Sequence, residues 1–172
     1  SNANLSNADL RYANLSGASL HSAILHSADL YIADLSGADL TDAVLDYVHA
    51  ISLQGGCPAI LPTLWQCVGQ NLVGPNANLT NAYMISADLS NADLSNADLS
   101  NADLRFADLS NADLSNANLA RANLNHAILT EANLSGANLS YTWMDYADLS
   151  GADLTDAVLD YVYAIYLQGG CP

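Results

Sequence analysis

The chain has 172 residues and no lysine, and its only strong bases, Arg11, Arg105 and Arg121, stand against 18 Asp and Glu for a formal charge of -15. Such a surface excludes unassisted nucleic-acid binding, which needs a basic footprint, and a membrane-surface role, since anionic lipids repel it. No apolar run approaches the roughly 20 residues that cross a bilayer.

From Ala3 to Leu45 the sequence keeps a five-residue beat, with Leu at every fifth position and Ala two residues before each. With Leu as position i, the unit reads Ala(i-2), Asp or Asn(i-1), Leu(i), Ser or Thr(i+1), Asn or Gly(i+2). An α-helix turns about 100° per residue, so successive leucines would sit about 140° apart and form no apolar stripe. A flat strand fails as well, because the Ala of the next unit would point to the opposite face from Ala(i-2) and Leu(i). Only a bend between units keeps every Ala and Leu inside, and the residues at i+1 and i+2 are those that make tight turns. Residues 1–50 are therefore coils in which each pentapeptide is one short side followed by a corner.

Residues 51–76 lose the beat and are expected to form a loop insertion that leaves one coil and returns to start the next. Gly55-Gly56, Pro58, Pro62 and Gly74-Pro75 mark its turns. Cys57 and Cys67 are expected to pair as a disulfide contributing somewhat under about 3 kcal/mol, with two free buried thiols as the alternative. Zinc would need three or four ligands, and only His49 lies nearby.

Over residues 77–164 the coils resume, from Ala77/Leu79 to Ala157/Leu159, broken only by Met84, Thr142 and Met144. Tyr141, Trp143 and Tyr146 are followed twenty residues later by Tyr161, Tyr163 and Tyr166, and Ile24 by Val44, which points to four sides per coil. The outward carboxylates then form columns, Asp88/Asp108 and Asp93/Asp113/Asn133/Asp153. Neighbouring charges about 4.8 Å apart repel by roughly 0.9 kcal/mol in water, and the interleaved Asn relieves part of this. These columns read as a solvated face, with DNA mimicry or calcium binding as functional alternatives. The six aromatic residues form the one large apolar feature outside the core and are the candidate interface, unless a following excursion covers them.

Residues 165–172 are expected to begin a second, truncated insertion. The stretch Ala33–Pro58 returns as Ala147–Pro172 with changes only at His49/Tyr163 and Ser52/Tyr166, so Cys171 reads as half of a second bracket unpaired by truncation. The whole is expected to be one continuous structural domain.

The repeated motif, as in Ala92-Asp93-Leu94-Ser95-Asn96, resembles the pentapeptide-repeat family over about four fifths of the chain. The resemblance implies an all-β fold, a right-handed quadrilateral β-helix of about 20 residues per coil, and it supplies the handedness. It also implies a bacterial setting, with the cyanobacteria, where the family is abundant, as one such source. Members that confer quinolone resistance act on DNA gyrase as DNA mimics and dimerise through a hydrophobic C-terminal cap, which this chain does not show.

No catalytic set is expected. His21, His26, His49 and His126 are scattered, and a convex rod with a filled core offers no cleft in which carboxylate pKa values could be driven apart. The reading is a non-catalytic structural or protein-interaction solenoid without cofactor or metal. It has an unknown protein partner, binds neither nucleic acid nor membrane, and is a monomer or an end-to-end stacked oligomer. The cysteine bracket leans towards export, to the periplasm or the thylakoid lumen.

Overall fold

A computed structural model describes residues 2–169, and among these no helix forms. The chain is a β-helix solenoid built on single-residue parallel bridges between positions twenty apart. One repeat, Ala112–Asn116, shows how the five-residue unit satisfies its own backbone. Ala112 N–H donates to Leu109 O across the corner at 3.1 Å, Asp113 N–H to Ala92 O one coil back, and Leu114 N–H and Asn116 N–H to Asn133 O and Ser135 O one coil on. That leaves Ser115 N–H, which faces no main-chain acceptor and instead donates to Asp113 Oδ1 at 2.9 Å. All five donors are thereby used, as a chain whose inner half is dry requires.

Position i+2 is left-handed throughout, for example Asn96 at φ 57° and Gly136 at φ 67°. Asn and Gly recur there because they enter this region at the least cost. Between corners, Ala and Leu point inward, and Leu94, Leu99, Leu104 and Leu109 are fully buried. Each such Leu contributes roughly 1.5–3 kcal/mol. Where Thr142 replaces an inward Ala it is equally buried, and its hydroxyl donates to Leu139 O at 2.8 Å, so no polar atom is orphaned.

The chain divides into two compact units, Ser1–Leu79 and Thr80–Pro172. In the first, four bridge columns run Asn4–Ile24–Val44, Asp9–Asp29–His49, Asn14–Asp34–Gln54 and Ser19–Asp39–Ile60. The ladder thus continues to Ile60, so the insertion expected to start at residue 51 starts later. One extra residue in the Gly55–Ala59 corner is absorbed without breaking the register. The departure proper ends in a hairpin of β1 (Gln66–Val68) and β2 (Asn71–Val73), antiparallel with Cys67 opposite Leu72. β2 returns to the core: Leu72 is buried and its N–H donates to Ala50 O. The buried Asn71 side chain takes Ser52 N–H on its oxygen and donates to Val68 O and Gly69 O. Gly74 lies against the Trp65 ring, where a Cβ would collide. Cys57 and Cys67 are joined by a disulfide with Cα atoms 5.9 Å apart, closing the loop that carries Pro62 and exposed Leu64.

In the second unit the columns run Tyr83–Asp103–Asn123–Trp143–Tyr163, Asp88–Asp108–Ile128–Asp148–Gln168, Asp93–Asp113–Asn133–Asp153 and Asp98–Asn118–Asn138–Val158. Since Gln168 still pairs with Asp148, the expected boundary at residue 165 also falls inside a coil. Cys171 lies outside the described residues.

Two stability measurements follow from this packing. Leu109→Ala leaves a cavity in a filled column and is expected to cost about 2–5 kcal/mol in urea unfolding, whereas Leu159→Ala, at a half-exposed position, costs about 1 kcal/mol or less. The double variant Cys57→Ser/Cys67→Ser is expected to lose about 3 kcal/mol by the same measurement, the chain entropy that closing the loop removes from the unfolded state.

Candidate functional site

The corner cap explains why Asp or Asn stands at i-1. Ser90 donates to Asp88 Oδ1 from its hydroxyl at 2.7 Å and from its N–H at 3.1 Å, and the same pair of bonds recurs at Ser95/Asp93, Ser110/Asp108 and Thr155/Asp153. The acidic columns are therefore corner-capping groups as well as surface charge. Asn133 Nδ2 donates to Asp113 Oδ1 one coil away at 3.1 Å, and Asn118 does the same to Asp98, so amides interleaved in a column bond to the carboxylates beside them. The hydroxyl of the residue two along, followed by its N–H, holds the carboxyls of Asp34, Asp39, Asp88, Asp148 and Asp153 below the usual range. Arg105 does so for Asp103, and Arg11 brings Asp9 down to about 2. Among the described residues no group of three or more His, Cys, Asp and Glu could hold a metal ion.

One side of the second unit departs from this pattern. Trp143 and Tyr163 occupy i-1 of a single bridge column, with ring centroids 6.3 Å apart. Tyr141 and Tyr161 stack at 4.9 Å on the corner before them, and Tyr146 and Tyr166 at 5.1 Å on the corner after. The six residues singled out from the sequence thus lie on one side, with Trp143 43% and Tyr163 55% exposed. Phe106 and His126 extend the second corner stack, His126 lying parallel between Phe106 at 4.7 Å and Tyr146 at 4.9 Å. Arg121 sits over the Tyr141 ring at 5.8 Å, and Arg105 donates to both oxygens of Asp103 at 2.8 Å. With Tyr83 at the head of the column, this side holds every aromatic residue of the unit, both its arginines and its one histidine.

Placing Trp or Tyr at i-1 removes the corner cap, and the chain compensates from the neighbouring coil. Asp145 N–H donates to Asn125 Oδ1 at 2.8 Å, and Ile165 N–H to Asp145 Oδ1 at 2.9 Å, each across twenty residues. Sequence reasoning passed over Asn125, Asp145 and Arg121, although writing the residues in twenty-residue columns would have set each beside its partner. The corner rings also carry backbone strain, since Phe106, His126, Tyr141, Tyr146, Tyr161 and Tyr166 all have φ between 54° and 61°. A side chain other than Asn or Gly costs roughly 1–2 kcal/mol there.

The equivalent side of the first unit, matched through the duplicated segment, is more polar. His49 Nδ1 lies 3.1 Å from Asp29 Oδ1, Tyr31 stacks on His49 at 5.8 Å, and Arg11 pairs with Asp9 at 2.7 Å and reaches Asp29 at 3.6 Å. Tyr12 and Tyr47 remain 68% and 54% exposed there even though the disulfide-closed excursion is present, because that excursion packs Leu61, Trp65 and Cys67 against the core. In this copy the excursion does not bury the ring-bearing side.

Comparison with known proteins follows the same pattern. The family model for pentapeptide repeats matches in eight copies, over residues 1–36, 75–101, 97–136 and 132–163. Among solved structures, a pentapeptide repeat protein from the thylakoid lumen of Arabidopsis thaliana is 26% identical, over 49% of this chain and 59% of that one, with a TM-score of 0.48. The chain thus spans little more than half of that relative's length. HetL, a pentapeptide repeat protein involved in heterocyst differentiation regulation in the cyanobacterium Nostoc sp. strain PCC 7120, is 33% identical over 94% of this chain and 76% of its own, at 0.44. QnrB1, a plasmid-mediated fluoroquinolone resistance protein, is 17% identical over 86% and 84%, at 0.33. These superpositions all score below 0.5, so the family assignment rests on the family model. No curated protein matches the chain.

The lowered carboxyls set an acid limit on stability. Their folded pKa values lie below the unfolded value of about 4, so the stabilisation is complete above that pH and is lost as pH falls through the folded values. The melting temperature is expected to change little between about pH 7 and 5 and to drop below about pH 4, less steeply in Ser90→Ala/Thr155→Ala.

Proposed function

Because the chain belongs to the pentapeptide-repeat family, we infer that it is a non-catalytic protein-interaction solenoid whose docking surface is the aromatic side of the second unit. In this reading the coils are right-handed and four-sided with about 20 residues each, a geometry supported by the four columns and their twenty-residue bridges. The observation that carries the functional reading is segregation: all the rings of the unit share one side with both its arginines, while the other columns carry carboxylates and amides apart from Ile128 and Val158. Tyr, Trp and Arg are the residues that dominate binding energy at protein interfaces. Their backbone strain and displaced corner caps also oppose an origin in stability alone, since Asn or Gly at the corners and Asp at i-1 would fold at lower cost.

The acidic columns lend less support to DNA mimicry. Their carboxylates are engaged in corner caps, and Asn133 stands between Asp113 and Asp153, so they serve the fold where they occur. A disulfide in an exposed loop fits an oxidising compartment such as the periplasm or the thylakoid lumen.

Paired variants test the assignment. Trp143→Asn/Tyr163→Asn removes the rings while restoring the local cap, so its melting temperature is expected to match or exceed that of the parent. Asp93→Asn/Asp113→Asn removes charge from another side and keeps the caps. In cells that make the protein, proteins co-purifying with the tagged parent are expected to fall about 30-fold or more with the first variant, the loss of about 2 kcal/mol typical of a hot spot, and to persist with the second. The reverse pattern would favour charge mimicry.

A further inference from the structure

The docking side is charge-balanced within a strongly acidic unit. Asp103 is paired with Arg105, Arg121 lies on Tyr141, and Asp145 is bonded to the backbone of the next coil. The remaining carboxylates of the unit lie on the other sides and on the flanking corner at Asp160, with no base among them. An approaching molecule therefore meets a ring-rich strip of no net charge, with Asp88, Asp108 and Asp148 along one edge and Asp160 on the corner at the other.

Ring orientation narrows the choice of ligand. In the Phe106–His126–Tyr146–Tyr166 and Tyr141–Tyr161 stacks the rings lie within 21° of parallel at 4.7–5.1 Å, so the faces between neighbouring rings are closed. Outward they present ring edges and Tyr hydroxyls. Sugars and nucleobases are held on open aromatic faces, and nucleic acid is repelled besides. A second copy of this chain would bring two acidic borders together. Ring edges and hydroxyls suit the apolar side chains and backbone groups of a polypeptide.

A second observation comes from the internal duplication. Ala33–Pro58 and Ala147–Pro172 differ at two positions, His49/Tyr163 and Ser52/Tyr166, and both fall on this side. Each change replaces a polar residue with Tyr in the second copy. The other outward positions of the two copies are unchanged, so divergence has acted only where it enlarges the strip.

Resting on the docking reading above, we propose that this strip takes a protein segment with an apolar or aromatic centre flanked by Lys and Arg, which Asp108, Asp148 and Asp160 around the strip attract. Long-range attraction of this kind speeds encounter and is screened by salt, while the buried centre sets how long the complex lasts.

The test is selection from a random peptide library displayed on phage, using the intact protein as bait. Recovered peptides are measured against the parent, Trp143→Asn/Tyr163→Asn and Asp93→Asn/Asp113→Asn. The expected result is a set of peptides with aromatic or aliphatic centres and net positive flanks. Their affinity should fall about 30-fold or more in the ring variant and about tenfold between about 0.05 and about 0.5 M salt. Peptides that need the rings but carry neutral or acidic flanks would overturn the basic partner and leave the docking side standing. Basic peptides that bind the ring variant as well as the parent would overturn both, since they adhere to the acidic sides. A library yielding no binder would also overturn both.

Discussion

Each corner of this solenoid leaves one backbone N–H, that of position i+1, with no main-chain acceptor. The other four donors of the repeat are taken by the turn and by the coils on either side, as in Ala112–Asn116. Meeting that fifth donor determines much of the outer surface. A short side chain with an acceptor oxygen two residues earlier does it locally, which is what Asp and Asn supply. The acidity of the chain is thus largely a consequence of backbone satisfaction, since 12 of its 18 acidic residues stand at i-1, where Asn would also serve.

The same constraint makes the aromatic side stand out. A ring at i-1 cannot accept the N–H, and behind Trp143 and Tyr163 another acceptor takes it. Asn125 and Asp145 provide it by reaching one coil on, and their bonds tie the strip into a single ladder. Left-handed corners occupied by Tyr, Phe and His add a second cost that packing between stacked rings offsets in part. Two independent departures from the cheapest solution thus coincide on this one side.

The two units use the repeat to different ends. In the first, the equivalent side carries an Asp29–His49 pair and an Arg11 clamp, and a disulfide-closed excursion sends Leu61 and Trp65 back onto the core. In the second, the same positions carry Trp143 and Tyr163, and the ladder runs on to Gln168. A five-residue unit permits this because the inward Ala and Leu set the coil, leaving i-1 and i+2 free to vary as long as the corner is capped.

Periodicity alone determined the inward Ala and Leu, the corners, the twenty-residue columns and the pairing of the six aromatic residues, because each depends only on spacing along a regularly bending chain. The excursion was legible as an interruption, but its true start was not: the ladder persists to Ile60, since one added residue in a Gly-rich corner can be absorbed without losing register. Tertiary structure alone decided which acceptor meets each stranded N–H. It likewise decided that Asn125 and Asp145 stand in for the missing caps, and that Arg121 lies over Tyr141. Those are contacts between coils, twenty residues apart in the chain, and they depend on which atoms stacking brings within hydrogen-bond reach, which residue type by itself leaves open.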